Sequence, residues 1–67
     1  MKNKVAYFRK IKGWSQERLS KEARISRLYL SEIETGTQKV VTNIVMIKIV
    51  NALEKSVEEV FFTPDVV

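Results

Sequence analysis

A chain of sixty-seven residues with no cysteine and no histidine excludes a disulfide framework, a Cys/His zinc site and the commonest general base near neutral pH. Hydrophobic residues make up 45%, a globular and not a disordered fraction, and the longest unbroken aliphatic run, Ile44 to Ile47, is too short to span a membrane. The net charge of +4 is uneven: residues 1–39 carry ten basic and four acidic side chains (+6), whereas residues 40–67 carry two basic and four acidic (−2). Such a division suits a first part that faces a polyanion; a solvated basic surface is the plainer alternative. Lys2 and Lys4 precede no apolar stretch long enough for the core of a signal peptide, so no secretory signal is expected, and the chain reads as one cytoplasmic domain over residues 1–67. A domain this small buries only about 60% of the surface its unfolded chain exposes. Without metal or disulfide, its support has to come from tight helix packing or from oligomerisation.

Glycine occurs only at 13 and 36 and proline only at 64, and there is no Asn-Gly or Asp-Gly hairpin signal, so the expected class is all-α. The first helix is expected over residues 2–12, with Val5, Phe8 and Ile11 as its apolar stripe and Gly13 as its stop. Ser15 has the chemistry of an N-cap for helix 2, Glu17 suits the positive end of that helix, and Leu19 and Ala23 supply its buried side. A second cap, Ser26, follows three residues after Ala23; Leu30 and Ile33 form the next stripe, and Gly36 closes helix 3. Thr42 caps a fourth helix that holds more apolar residues than one face can bury. Ser56 and Glu59 fit a capping box opening a short helix 5, which Pro64 ends. Tyr7 and Trp14 read as core or helix-packing aromatics, not as base-stacking platforms.

Two short helices joined by a three-residue turn, over about residues 16–35, have the form of a helix-turn-helix. Leu19, Ala23, Ile25, Leu30 and Ile33 are the side chains two steeply crossing helices need to bury. Arg27, Leu28, Tyr29, Ser31 and Glu32 are left on the outer side or edges of the second helix, which can then enter a DNA major groove. The runs Ser15-Gln16-Glu17-Arg18-Leu19-Ser20-Lys21-Glu22-Ala23, Ile25-Ser26-Arg27, Tyr29-Leu30-Ser31 and Ile33-Glu34-Thr35-Gly36 together resemble the lambda-repressor-like (Cro/Xre-type) family. The similarity extends over about residues 4–62. It implies a compact five-helix bundle and a transcription regulator that binds double-stranded DNA.

Carried over residue by residue, the resemblance implies base-reading positions at Arg27, Leu28 and Glu32. It implies contacts to the DNA backbone from Ser15, Gln16, Ser26 and Tyr29, and from Thr37 and Lys39 in the following loop. It also implies a structural ion pair between Arg9 and Glu34. The side-chain chemistry agrees, since Arg27 can donate two bonds to guanine, Leu28 can meet a thymine methyl and Glu32 can accept from cytosine. Four of these positions have a plainer alternative: Gln16 as an exposed helix residue, Leu28 as an isolated surface apolar side chain, Glu32 as a surface charge beside an arginine, and Lys39 as a solvated loop lysine.

Three positions depart from the family pattern: Arg24 and Glu54 stand where glycine is common, and Val40-Val41 where proline is frequent, in a loop one residue longer than usual. If the turn geometry is kept, Arg24 must adopt positive φ. One recognition helix reads few base pairs, so a homodimer on a palindrome is expected, with residues 42–62 as the dimerisation part, Val60 and Phe62 at the interface and the C-terminal tail taking part. Phage-type repressors and restriction–modification controllers are the nearest functional models. RNA polymerase is a further possible partner, through Glu17 and Glu22. The alternative is an antitoxin-like module that holds a protein partner and also binds its own promoter. No cofactor, metal or catalytic residue is expected.

Overall fold

Hydroxyl caps set the starts of three helices. The Ser15 Oγ accepts from the Arg18 N–H at 3.0 Å and opens α2, Gln16–Ala23. The Ser26 Oγ accepts from Tyr29 N–H at 3.0 Å and opens α3, Arg27–Thr35. The Thr42 Oγ1 accepts from Val45 N–H at 3.4 Å at the head of α4, Asn43–Leu53. Each bond satisfies a backbone donor that the first turn of a helix cannot pair internally. The computed structural model describes residues 2–62, and its elements are α1 (Val5–Ile11), α2, α3, α4 and a closing π-helical turn, Glu58–Phe62. The architecture is all-α, and no helix among the described residues is long and apolar enough to cross a membrane.

α1 begins later than the sequence suggests because Asn3 and Lys4 are held elsewhere. The Asn3 Oδ1 accepts from Val5 N–H at 3.0 Å while its Nδ2 donates to the Ile33 carbonyl at 2.9 Å, and the Lys4 N–H donates to the Val60 carbonyl at 2.7 Å. The N-terminal residues are thus stapled across α3 and the π-turn. The expected apolar stripe of α1 also needs correction: Val5 is fully buried and Phe8 packs on the core, but Ile11 is 63% exposed. Strict three-residue spacing drifts around a helix of 3.6 residues per turn, leaving Ile11 about 120° from Val5. Tyr7, nearly opposite Val5, is also exposed, and its ring meets that of Phe8 in a T-shaped pair at 5.1 Å between centroids.

The core gathers Leu19 and Ala23 of α2, Leu30 and Ile33 of α3, and Met46, Ile49, Val50 and Leu53 of α4, with Val5, Val41, Val60 and Phe61 closing it. Met46, Ile49, Val50 and Leu53 follow the i, i+3, i+4, i+7 pattern of one helical face, which leaves Ile44 and Ile47 in solvent. The capping box at the chain's last turn is complete: Ser56 N–H donates to Glu59 Oε1 and Glu59 N–H to Ser56 Oγ, both at 3.1 Å. Hydrogen bonding to the Ser56 backbone and then to its side chain holds the Glu59 carboxyl below its ordinary range. The turn then continues as a π-helix, directing both Val60 and Phe61 inward. Val60, expected at a dimer interface, is instead 1% exposed and belongs to the core, whereas Phe62 is 60% exposed. Pro64 and the tail expected to join the dimer lie outside the described residues.

Arg24 and Glu54 both close their helices in the left-handed conformation, at φ 59° in each case. Each is held there by backbone bonds that satisfy the last carbonyls, Ile25 N–H to Ser20 and Lys55 N–H to Val50. A side chain in this region costs about 1–2 kcal/mol, part of which glycine returns through its more flexible unfolded state. Arg24→Gly and Glu54→Gly are therefore each expected to raise stability by about 0.5–1 kcal/mol, a rise of several degrees in thermal midpoint. An unchanged or lowered midpoint in both variants would show that the side chains stabilise these ends in another way.

Candidate nucleic-acid interface

The α2–α3 turn is three residues long, Arg24 to Ser26, and its left-handed Arg24 swings the chain so that α3 packs across α2. Leu30 and Ile33 are fully buried on the inner side of α3. On the outer side, Arg27 is exposed, Leu28 is 71% exposed, and Ser31 and Glu32 are half-buried. Leu28, Ser31, Glu32 and Thr35 share one face by their three- and four-residue spacings. Arg27 opens the helix beside that face. The sequence-derived base-reading set, Arg27, Leu28 and Glu32, is thus gathered on one helix, with Glu32 the least accessible.

The residues assigned to the DNA backbone are more varied in placement. Ser15 and Ser26 are exposed at the two helix starts, and each hydroxyl accepts from a backbone N–H while keeping its own hydrogen to donate. Tyr29 is half-buried, with its ring against the core. The Thr37 hydroxyl is 3.0 Å from that of Thr35, which also bonds the Ser31 and Glu32 carbonyls, so the loop after Gly36 is laced to the end of α3. Lys39 is exposed. Gln16 is half-buried, and its Nε2 donates to Glu34 Oε1 at 3.0 Å, a link across eighteen residues that sequence reasoning did not find.

Glu34 is the hub of this arrangement. Its carboxylate, 5% exposed, takes a forked pair of bonds from Arg9, Nε to Oε2 at 2.8 Å and Nη2 to Oε1 at 3.0 Å. Arg9 Nη1 also donates to the Trp14 carbonyl at 2.7 Å, one residue before the Ser15 cap. α1, the α1–α2 turn, the start of α2 and the end of α3 are joined through these four residues. Trp14 is half-buried against the core, with Lys12 and Arg18 cations 4.8 Å and 4.6 Å from its ring, so it serves packing. Glu17 and Glu22 are paired within α2, to Lys21 at 3.8 Å and Arg18 at 3.0 Å. A separate groove of about 520 Å³, bordered by Trp14, Arg24, Lys48 and Glu54 among others, includes no residue of α3. Among the described residues there is no group of three or more carboxylates, histidines or cysteines able to hold a metal.

Two helices joined by a tight turn, the second presenting a bare outer face, give this chain the fold of a helix-turn-helix DNA-binding domain. The helix-turn-helix family model matches residues 5–60. The N-terminal DNA binding domain of SinR from Bacillus subtilis is similar in structure, with a TM-score of 0.78 and 31% identity over 82% of this chain and 80% of that one. No curated protein sequence matches. The chain belongs to the Cro/Xre-type helix-turn-helix family.

Removing Arg9 would leave the Glu34 carboxylate buried without its counter-charge, a loss of about 3–5 kcal/mol. Arg9→Ala is expected to lower stability by that much in urea unfolding, enough to leave a domain of this size largely unfolded. A loss below about 1 kcal/mol, the range of surface pairs, would mean that water reaches the carboxylate freely.

Proposed function

We propose that the protein binds double-stranded DNA sequence-specifically, as a homodimer on a palindromic operator, and represses transcription by occupying it. The observation that carries the reading is the outer face of α3, where Arg27 and Leu28 are exposed directly after the exposed Ser26 cap. A guanidinium at the head of a recognition helix suits two bonds to guanine O6 and N7, and the neighbouring leucine suits a thymine methyl. Ser15, Gln16, Ser26, Thr37 and Lys39 serve as backbone contacts that fix register without reading sequence. All of these residues fall in the part of the chain that carries net +6. Placing that charge on the DNA side releases counterions and makes affinity fall with salt.

Dimerisation follows from the limited reach of one recognition helix, and two copies on a two-fold axis would double the sequence read. Val60 is not available for this, but Phe62 is, and Ile44 and Ile47 of α4 are the other apolar side chains in the second half of the chain that are well exposed within a helix. Repression is proposed as the default outcome because a domain that covers its site blocks polymerase without any further contact.

Arg27→Ala is expected to weaken binding to the preferred duplex by about 1–3 kcal/mol while leaving a mixed-sequence duplex much less affected, and to relax preference at one base pair. An equal loss on every duplex would make Arg27 a phosphate contact. In sedimentation at tens of micromolar the protein is expected to behave as a dimer and Phe62→Ser as a monomer. A wild-type chain that remains monomeric both free and on DNA would remove the dimer from the reading.

A further inference from the structure

We infer that Glu34 is a positioning residue for DNA binding, acting through the side-chain amide of Gln16, in addition to pairing with Arg9. This rests on the proposed contact between Gln16 and a DNA phosphate. The geometry is specific. Glu34 Oε1 accepts from two donors, Arg9 Nη2 and Gln16 Nε2, each at 3.0 Å, while Oε2 takes Arg9 Nε at 2.8 Å. The carboxylate is 5% exposed and Arg9 is itself anchored on the Trp14 carbonyl at 2.7 Å, so the oxygen that Gln16 meets is held in place.

An amide has two faces with opposite consequences for a phosphate. Its NH2 carries two donors and its oxygen can only accept, and a phosphate also only accepts. One Gln16 N–H is committed to Glu34, which leaves the second free on the same nitrogen. A carboxylate at this spot therefore rejects the flipped amide, whose oxygen would face Glu34, and keeps a donor in position for a ligand. It also removes rotamer freedom from Gln16 before DNA arrives, so less is lost on binding. The Arg9 fork neutralises the charge that would otherwise make a carboxylate near the backbone unfavourable.

Loss of Glu34 therefore has two effects of opposite sign. Freeing the Arg9 charge tightens binding to a polyanion, and freeing Gln16 weakens it. Binding of a mixed-sequence DNA duplex at low salt separates them, because a phosphate contact acts on any sequence. Wild type, Gln16→Ala, Glu34→Ala, the double variant and Glu34→Gln are compared at a temperature where circular dichroism shows each one folded.

Gln16→Ala is expected to weaken binding about tenfold, the size of one charge-assisted hydrogen bond. Glu34→Ala is expected to weaken it by about three- to tenfold, and the double variant to bind no more weakly than Gln16→Ala alone. Glu34→Gln keeps an acceptor oxygen for Gln16 and is expected to bind at least as well as wild type. Tighter binding by Glu34→Ala in both backgrounds, or a double variant showing the product of two separate losses, would overturn the role assigned to Glu34 alone. No effect of Gln16→Ala would overturn the phosphate contact, and the role of Glu34 with it. Should Glu34→Ala fail to fold, the side-chain amide of Gln16 in the DNA-free wild type decides. Nitrogen-15 relaxation as rigid as the backbone supports the inference, and a freely reorienting amide overturns it.

Discussion

The Glu34 side chain is only 5% exposed, and burying its carboxylate requires a counter-charge, which Arg9 supplies through its Nε and Nη2 donors. The positions of three segments follow from that requirement. α1 is held against the end of α3 by the pair itself, the α1–α2 turn by Arg9 on the Trp14 carbonyl, and the first residue of α2 by Gln16 on the same carboxylate. The exposed caps Ser15 and Ser26 sit at the starts of the helices so joined. The outer face of α3, proposed to meet the duplex, is thereby carried on a frame with little freedom to slip.

The rest of the fold supports this frame economically. α4 lays one face, Met46, Ile49, Val50 and Leu53, against a core that α2 and α3 have already half built. The N-terminal residues, through Asn3 and Lys4, close the bundle over α3 and the π-turn. Charged residues hold two positions of positive φ, Arg24 and Glu54, although glycine fits such positions better. The α2–α3 turn keeps its geometry in spite of that cost, because Ile25 can reach the Ser20 carbonyl only when Arg24 is left-handed.

Much of this was legible in the sequence where the chemistry is local. Ser15, Ser26 and Thr42 announce helix starts because a hydroxyl cap needs only its own next three residues, and the Ser56–Glu59 box is legible for the same reason. The family resemblance supplied the partnership of Arg9 with Glu34, which no local pattern contains. Other features depend on phase or on distant contacts. Ile11 falls off the buried face because three-residue spacing drifts around a helix of 3.6 residues per turn, and Val60 turns inward because the last turn is a π-helix whose register shifts its side chains. The bonds of Asn3 to Ile33 and of Gln16 to Glu34 join residues thirty and eighteen apart, and neither amide carries a signal of its destination. Of the candidate site, the placement of Arg27, Leu28 and Glu32 on one helix was thus readable, and the network that holds that helix was only half so.

The uneven charge and the small core now have a common explanation. The basic part forms the frame and the face proposed to meet DNA, while the second part completes the core and leaves Ile44, Ile47 and Phe62 uncovered. The proposed dimer would cover such surface and supply the second recognition helix. Selection of binding sites from random duplex DNA tests the central claim most directly. Inverted repeats with a guanine fixed in each half-site are expected to be recovered, at a spacing set by the dimer. Recovery of no sequence above the input pool, even at low salt, would contradict it.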